Sequence, residues 1–200
     1  MLKKILIVLG AIIIVYIVAR VVVTPTEKMH AGDVLPPMHL TNIQGKDVVI
    51  PNPNSKWVHL QFRRFAGCPI CNLHMHAILK RYPDISAAGI QEVVIFHSPK
   101  ESLLPYQGKF PFDVIGDPEK KLYAQFGVGT SIFAILDVRA WPAIVKGVRQ
   151  EDKPQGEPEG GALGLPADFL IAPDGKIKAV HYGVHSFDQW SVDELLKLAK

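Results

Sequence analysis

Apolar residues fill one end of the chain almost without a break and are spaced out over the rest. Residues 5–23 are apolar apart from Arg20, with Ile and Val dominant. That length matches the roughly 20 residues a helix needs to cross a bilayer. Residues 24–37 are polar and proline-bearing, end in Val34-Leu35-Pro36-Pro37, and read as a tether. Over 57–64, Val58, Leu60 and Phe62 alternate with polar neighbours, the period of a strand. Residues 69–82 predict a helix, and the run Val93-Val94-Ile95-Phe96 within 91–97 predicts a strand buried on both faces. Residues 117–126 predict a short helix, with Pro118 near its first turn. Strand, turn and strand follow at 169–172, Pro173-Asp174-Gly175-Lys176 and 177–182. Ser191, with Glu194 three residues on, has the spacing of a capping box and opens a closing helix. Strands alternating with helices, then a hairpin and a helix, predict an α/β domain over 38–200. An insertion interrupts it at about 127–164: apolar and predicted helical over 132–148, rich in Pro, Gly and acids over 149–161. No internal repeat is visible.

Composition narrows the class. With 48% hydrophobic residues in 200, the chain can build a core, and a disordered or collagen-like chain is excluded. The 22 Lys+Arg exceed the 19 Asp+Glu by 3, and Lys3, Lys4 and Arg20 account for all of it. The domain beyond is charge-balanced, so nucleic acid is not an expected partner. Lys3 and Lys4 ahead of the span hold the N-terminus in the cytosol by the positive-inside rule, while Arg20 and Lys28 after it dilute the bias. The expectation is a single-pass anchor at 1–23 in the cell membrane, with the C-terminal domain extracytoplasmic, periplasmic or on the outer face. A cleaved signal peptide is the alternative; Ala19-Arg20-Val21-Val22-Val23 is a poor cleavage site for one.

The only two cysteines stand in Gly67-Cys68-Pro69-Ile70-Cys71, where the predicted strand meets the predicted helix. A C-x-x-C at the start of a helix in an α/β pattern points to redox chemistry. Unpaired backbone N–H groups and the helix dipole favour a thiolate there, and such cysteines have pKa values of roughly 3.5–7.5. Cys71, Met75, Ile78 and Tyr82 share one helix face, so Cys68 is expected to attack and Cys71 to resolve. Two other uses fit the pair. One is a structural disulfide, which across so short a loop constrains the unfolded chain little. The other is a metal site, with His74 and His76 following at C-x2-C-x2-H-x-H; residues two apart on a helix point nearly opposite ways, so the set would be Cys68, Cys71 and His74. His59, His97, His181 and His185 read as polar strand or loop residues, with His185 the one to test.

The segments Phe62-Arg63-Arg64-Phe65-Ala66-Gly67-Cys68-Pro69-Ile70-Cys71 and Leu165-Pro166-Ala167-Asp168-Phe169-Leu170-Ile171-Ala172-Pro173-Asp174-Gly175-Lys176-Ile177 resemble the thioredoxin superfamily. More narrowly, they resemble peroxiredoxin-like (AhpC/TSA-related) proteins that carry a C-x-x-C. The similarity covers about 32–200 and includes His181-Tyr182-Gly183 and the segment from Asp188 to Leu195. It implies a thioredoxin-like fold, a central mixed sheet flanked by helices, with the insertion placed before the strand that follows a cis-proline. That proline would be Pro166, with Leu165 before it helping to choose partners. The chain departs from the peroxiredoxin pattern P-x-x-x-T/S-x-x-C: aligned on Cys68, those places hold Gln61 and Phe65. The arginine that family carries later falls near Pro166, leaving Arg63 or Arg64 as substitute donors to a reacting oxygen.

Three functions follow. The first is a membrane-anchored thiol–disulfide redox protein acting on a protein disulfide or dithiol through Cys68 and Cys71. The second is a peroxide reductase, and the third a copper-binding chaperone using the thiolates and a histidine. No cofactor is expected. In the insertion, Ile132, Phe133, Ile135, Leu136, Val138 and Trp141 are expected to pack over the domain or cover the site; a membrane- or partner-facing surface is the alternative.

Overall fold

The computed structural model describes residues 27–54, 56–150 and 157–200. The expected span at 5–23 and part of the acidic half of the insertion lie outside the described residues. Among the described residues, no helix is long and apolar enough to cross a membrane.

Met38–Thr41 (β1) and Asp47–Ile50 (β2) pair as an antiparallel hairpin that the sequence pattern did not announce. Trp57–Arg63 (β3) follows, then the helix Pro69–Ala87 (α1) and the strand Ile90–Phe96 (β4), a parallel crossover unit. Lys100–Leu103 (α2), Asp113–Gly116 (β5) and Lys121–Gln125 (α3) come next. The insertion contributes Phe133–Leu136 (α4), a 3-10 turn at Val138–Ala140 and Trp141–Val148 (α5). Ala167–Ile171 (β6), Ile177–Tyr182 (β7) and Val192–Leu198 (α6) complete the domain.

The main sheet has the order β5-β4-β3-β6-β7, with β3, β4 and β5 parallel and β6 and β7 antiparallel. β3 is central and buried on both faces. One face sends Val58, Leu60 and Phe62 into a core with Ile50, Val93, Tyr123, Phe126 and Phe169. The other lies under α1 and α6, where Met75, Ile78, Ile85, Val94, Leu170 and Leu195 form a second core. Covering both faces is what lets β4 run Val93-Val94-Ile95-Phe96 without a polar residue. The fold is therefore α/β with a central mixed sheet flanked by helices, as expected.

Several boundaries differ from the sequence pattern, each for a local reason. α1 continues past Tyr82 through Pro83, which lies inside the helix, and the turn is made only at Gly89, with φ +72°. The short helix starts at Lys121 because the Asp117 carboxylate accepts from the N–H groups of Lys121, Leu122 and Tyr123. The apolar half of the insertion is broken at Asp137, whose side chain caps the N–H of Arg139. From residue 27 onward the expected tether is bound against β7. Gly32 N–H donates to Ile177 O, Ile177 N–H to Asp33 O and Leu35 N–H to Gly175 O, and Leu35 is buried.

The insertion packs with one side only. α5 buries Ala143 and Gly147 against α1, and Gly147 passes so close that a Cβ there would lie 2.6 Å from the Pro69 carbonyl oxygen. The opposite side of the same helix leaves Trp141, Val145 and Val148 exposed.

Candidate active site

Cys68 is the N-cap of α1, where the chain leaves β3 and turns into the first helical turn. Pro69 at the first helical position gives up an N–H that would have no partner. The approach is held from several sides: Cys68 N–H donates to Phe65 O, Ala66 N–H to Ser98 Oγ, and Asn72 Nδ2 to the carbonyls of Ala66 and Cys68, each 2.8–3.0 Å. Cys68 and Cys71 are joined as a disulfide with Cα atoms 5.3 Å apart. Both are buried, Cys68 with no exposed surface at all. Both lie in the core under α1, which also takes in Ala143 of the insertion.

Two donors converge on the Cys68 sulfur. Cys71 N–H lies 3.2 Å from Sγ and the Arg64 guanidinium, through Nη2, 3.1 Å. The other Arg64 terminal nitrogen donates to Ala162 O at 2.7 Å, and Gly164 packs against its stem. Burial lowers Arg64 to about 10, a sign of how poorly water compensates its charge there. A thiolate at Cys68 would supply that compensation, so guanidinium and thiolate stabilise one another.

Arg63, the last residue of β3, serves a different group. Its Nη2 lies 2.6 Å from Asp168 Oδ1 and 3.1 Å from His74 Nε2, and also bonds Gln61 Oε1. Gln61 bonds Glu92, and His59 sits between Glu92 at 2.8 Å and Asp168 at 3.3 Å. All six side chains are buried, and Trp190 stacks on His59. Burial opposes charge on His59, but Glu92 and Asp168 outweigh it and raise His59 to about 9. Burial likewise opposes charge on Asp168, and Arg63 and His59 overcome it, holding the carboxyl well below its ordinary range. His74 is pushed well below its usual value by burial, then by Arg63. It is therefore neutral at pH 7, with Nε2 accepting from Arg63. His97, beside Phe65, is lowered to about 4, chiefly by burial.

The structure thus gathers Cys68, Cys71 and Arg64 at one point, with Arg63 and His74 in a charged layer under α1. His74 is one helical turn beyond Cys71 and is engaged by Arg63 and Gln61, which places a cationic group where a metal would bind. Among the described residues, no three of His, Cys, Asp and Glu are gathered to hold a metal. Pro166 leads into β6, whose Ala167 pairs with Phe62 near the end of β3, so it lies at the same end of the sheet as the cysteines. The expected cis bond is not there: Leu165–Pro166 is trans, and the cis peptide among the described residues is Ile50–Pro51. Pro166 enters β6 in an extended run, its carbonyl accepting from Gly183 N–H, where the trans form is the ordinary one. Leu165 borders a cavity with Lys28, Phe133 and Val184. His185 bonds within its own loop, to Phe187 N–H. Sequence reasoning missed His59, Glu92 and Asp168 as members of the layer. The available signal was the polar stripe His59, Gln61, Arg63 on a strand central enough to have no solvent face.

Such a dithiol at the head of a helix, on this sheet, defines a thioredoxin-like oxidoreductase. Residues 77–185 match the family described as AhpC/TSA antioxidant enzyme, and the chain belongs to that family. The match starts just past the two cysteines. No curated protein sequence matches the chain. Among solved structures it is similar to the peroxidoxin BcpB of Mycobacterium tuberculosis, with 18% identity and a TM-score of 0.63 over 86% of this chain and 96% of that one. A protein described as the thiol:disulfide interchange protein DsbE of Chlorobium tepidum is also similar, at 18% identity and TM-score 0.58 over 86% and 100%. So is the reduced 2-Cys peroxiredoxin of Plasmodium vivax, at 14% and 0.59 over 86% and 80%. These identities speak to the fold.

Proposed function

We propose that this chain is a membrane-anchored, extracytoplasmic thiol–disulfide redox protein. The observation that carries the chemistry is the Cys68–Cys71 pair closed across the first turn of α1, with Arg64 on the Cys68 sulfur. In the reduced protein the Cys68 thiolate attacks one sulfur of a substrate disulfide and expels the other as thiolate. Cys71, deprotonated, then attacks Cys68 Sγ and expels the second substrate thiolate. Two electrons pass to the substrate, its thiolates take up two protons, and the Cys68–Cys71 disulfide remains. The reverse sequence oxidises a dithiol.

Peroxide reduction is the second reading, supported by the family and by Cys68's burial, which admits a small oxidant more readily than a protein. Cys68 would attack one peroxide oxygen and release water, and Cys71 would displace a second water from the sulfenic acid. Gln61, Phe65 and Pro166 stand against it, since they occupy the places where that family carries its proline, its hydroxyl donor and its arginine. The pair of readings is separated by mixing reduced full-length protein with hydrogen peroxide or with a disulfide-bonded protein and following disulfide formation. Fast reaction with the disulfide, and a peroxide rate no better than free cysteine, is the expected result. A peroxide rate far above free cysteine, lost in Cys68→Ser, overturns it. In Cys71→Ser a mixed disulfide through Cys68 should accumulate; its absence reverses the assigned order of attack.

A further inference from the structure

The first described residues emerge beside the outward face of the insertion. Lys28 Cα lies 2.8 Å from where a Gly127 Cβ would be, and Met29 N–H donates to the Tyr182 hydroxyl at 2.9 Å. Lys28 Nζ stands 4.7 Å over the Tyr182 ring and shares with Phe133, Arg139, Leu165 and Val184 a shallow cavity of about 390 Å³. Only residues 24–26 separate this point from the apolar segment 5–23. Four residue steps from Val23 to Glu27 reach at most ~14 Å. An anchor at 5–23 therefore holds this edge of the domain within that distance of a bilayer.

The insertion that begins at this edge carries Phe133, Leu136, Val138, Trp141, Val145 and Val148, each 48–66% exposed. On α5 the exposed positions 141, 145 and 148 fall on one side and the buried Ala143 and Gly147 on the other. Lys28 and Arg149 accompany them; Lys146 turns toward α1, beside Leu73 and Arg81, and the one acid within 127–150, Asp137, is paired with Arg139 at 2.6 Å. Aromatic and aliphatic side chains accompanied by lysine and arginine make the pattern of a surface that lies in the headgroup region of an anionic bilayer.

We propose that this face of the insertion rests on the anionic surface of the bilayer that holds the anchor, with Trp141 among the headgroups and Lys28 and Arg149 on lipid phosphates. The inference rests on the anchored reading above. It is tested with the full-length chain in vesicles of phosphatidylcholine and phosphatidylglycerol, with and without bromine on the acyl chains near the headgroups. Bromolipid should remove roughly one third of the tryptophan emission, the share of one residue in three, and Trp141→Phe should abolish that loss. Lys28→Glu with Arg149→Glu should reduce the quenching in these vesicles. If the protein resists alkaline extraction but Trp141→Phe is quenched as much as wild type, the anchor stands and the docked face is overturned. If alkaline extraction releases the protein, the anchor fails and this inference fails with it. Quenching that is absent while Trp141→Glu dissociates a dimer assigns the face to a second copy and likewise overturns the proposal.

Discussion

Arg63 and Arg64, neighbours in the chain, act on different groups. Arg64 supplies positive charge 3.1 Å from Cys68 Sγ, so replacing it with Gln should raise the Cys68 thiol pKa by about 1–3 units. The pH dependence of alkylation in the reduced protein measures this, and an unchanged profile would remove Arg64 from the chemistry. The layer around Arg63 governs stability against pH. His59 binds its proton more tightly folded than unfolded, so its contribution is full below pH 6.5 and is lost as pH rises through about 9. His74 and His97 are held below 6.5, so folding weakens as pH falls from 6.5 and they must accept protons. Thermal midpoints should therefore peak near neutrality. His59→Gln should lower them overall, by ~3–5 kcal/mol of stability for a broken buried pair, and flatten the alkaline limb. At this scale the sequence disclosed the cysteines, whose spacing carries chemistry wherever it falls. It did not disclose the charged layer, because His59, Gln61 and Arg63 alternate with apolar residues just as a solvent-facing stripe would. Only the placing of α1 and Trp190 over them makes that stripe interior.

Gly147 is the point at which α5 meets α1. Alanine there improves helix propensity by ~1 kcal/mol, yet its Cβ would fall 2.6 Å from backbone, so a net loss of ~1–3 kcal/mol is expected in urea denaturation. The same change should speed alkylation of reduced Cys68 by loosening what covers it; equal rates would mean that α5 does not shield the sulfur. At the far end of the domain, Ser191 and Glu194 form a full capping box, and Ser191→Ala should cost about 1 kcal/mol by the same measurement. Elements with strong periodicity or explicit caps, such as β3, β4 and α6, were legible in advance. Those decided by partners were not. β1 and β2 are four residues each with a half-polar face, too short to announce themselves, and α1 keeps its course through Pro83 because both its ends are fixed by packing.

The whole molecule joins a sheet common to many redox proteins with an insertion peculiar in its placement. The strand–helix alternation and the C-x-x-C were enough to foresee the class, and the family match confirms it from residues 77–185, a stretch that excludes both cysteines. What could not be foreseen is how the insertion folds back, since its contacts with Arg64 and Pro69 link residues far apart in the chain. That return has a kinetic consequence. Cys68 has no exposed surface while disulfide-bonded, so a reductant must wait for its cover to part. The observed rate of reduction should then climb with reductant concentration and level off at a ceiling shared by chemically different dithiols, because the ceiling counts openings of the protein rather than collisions with it.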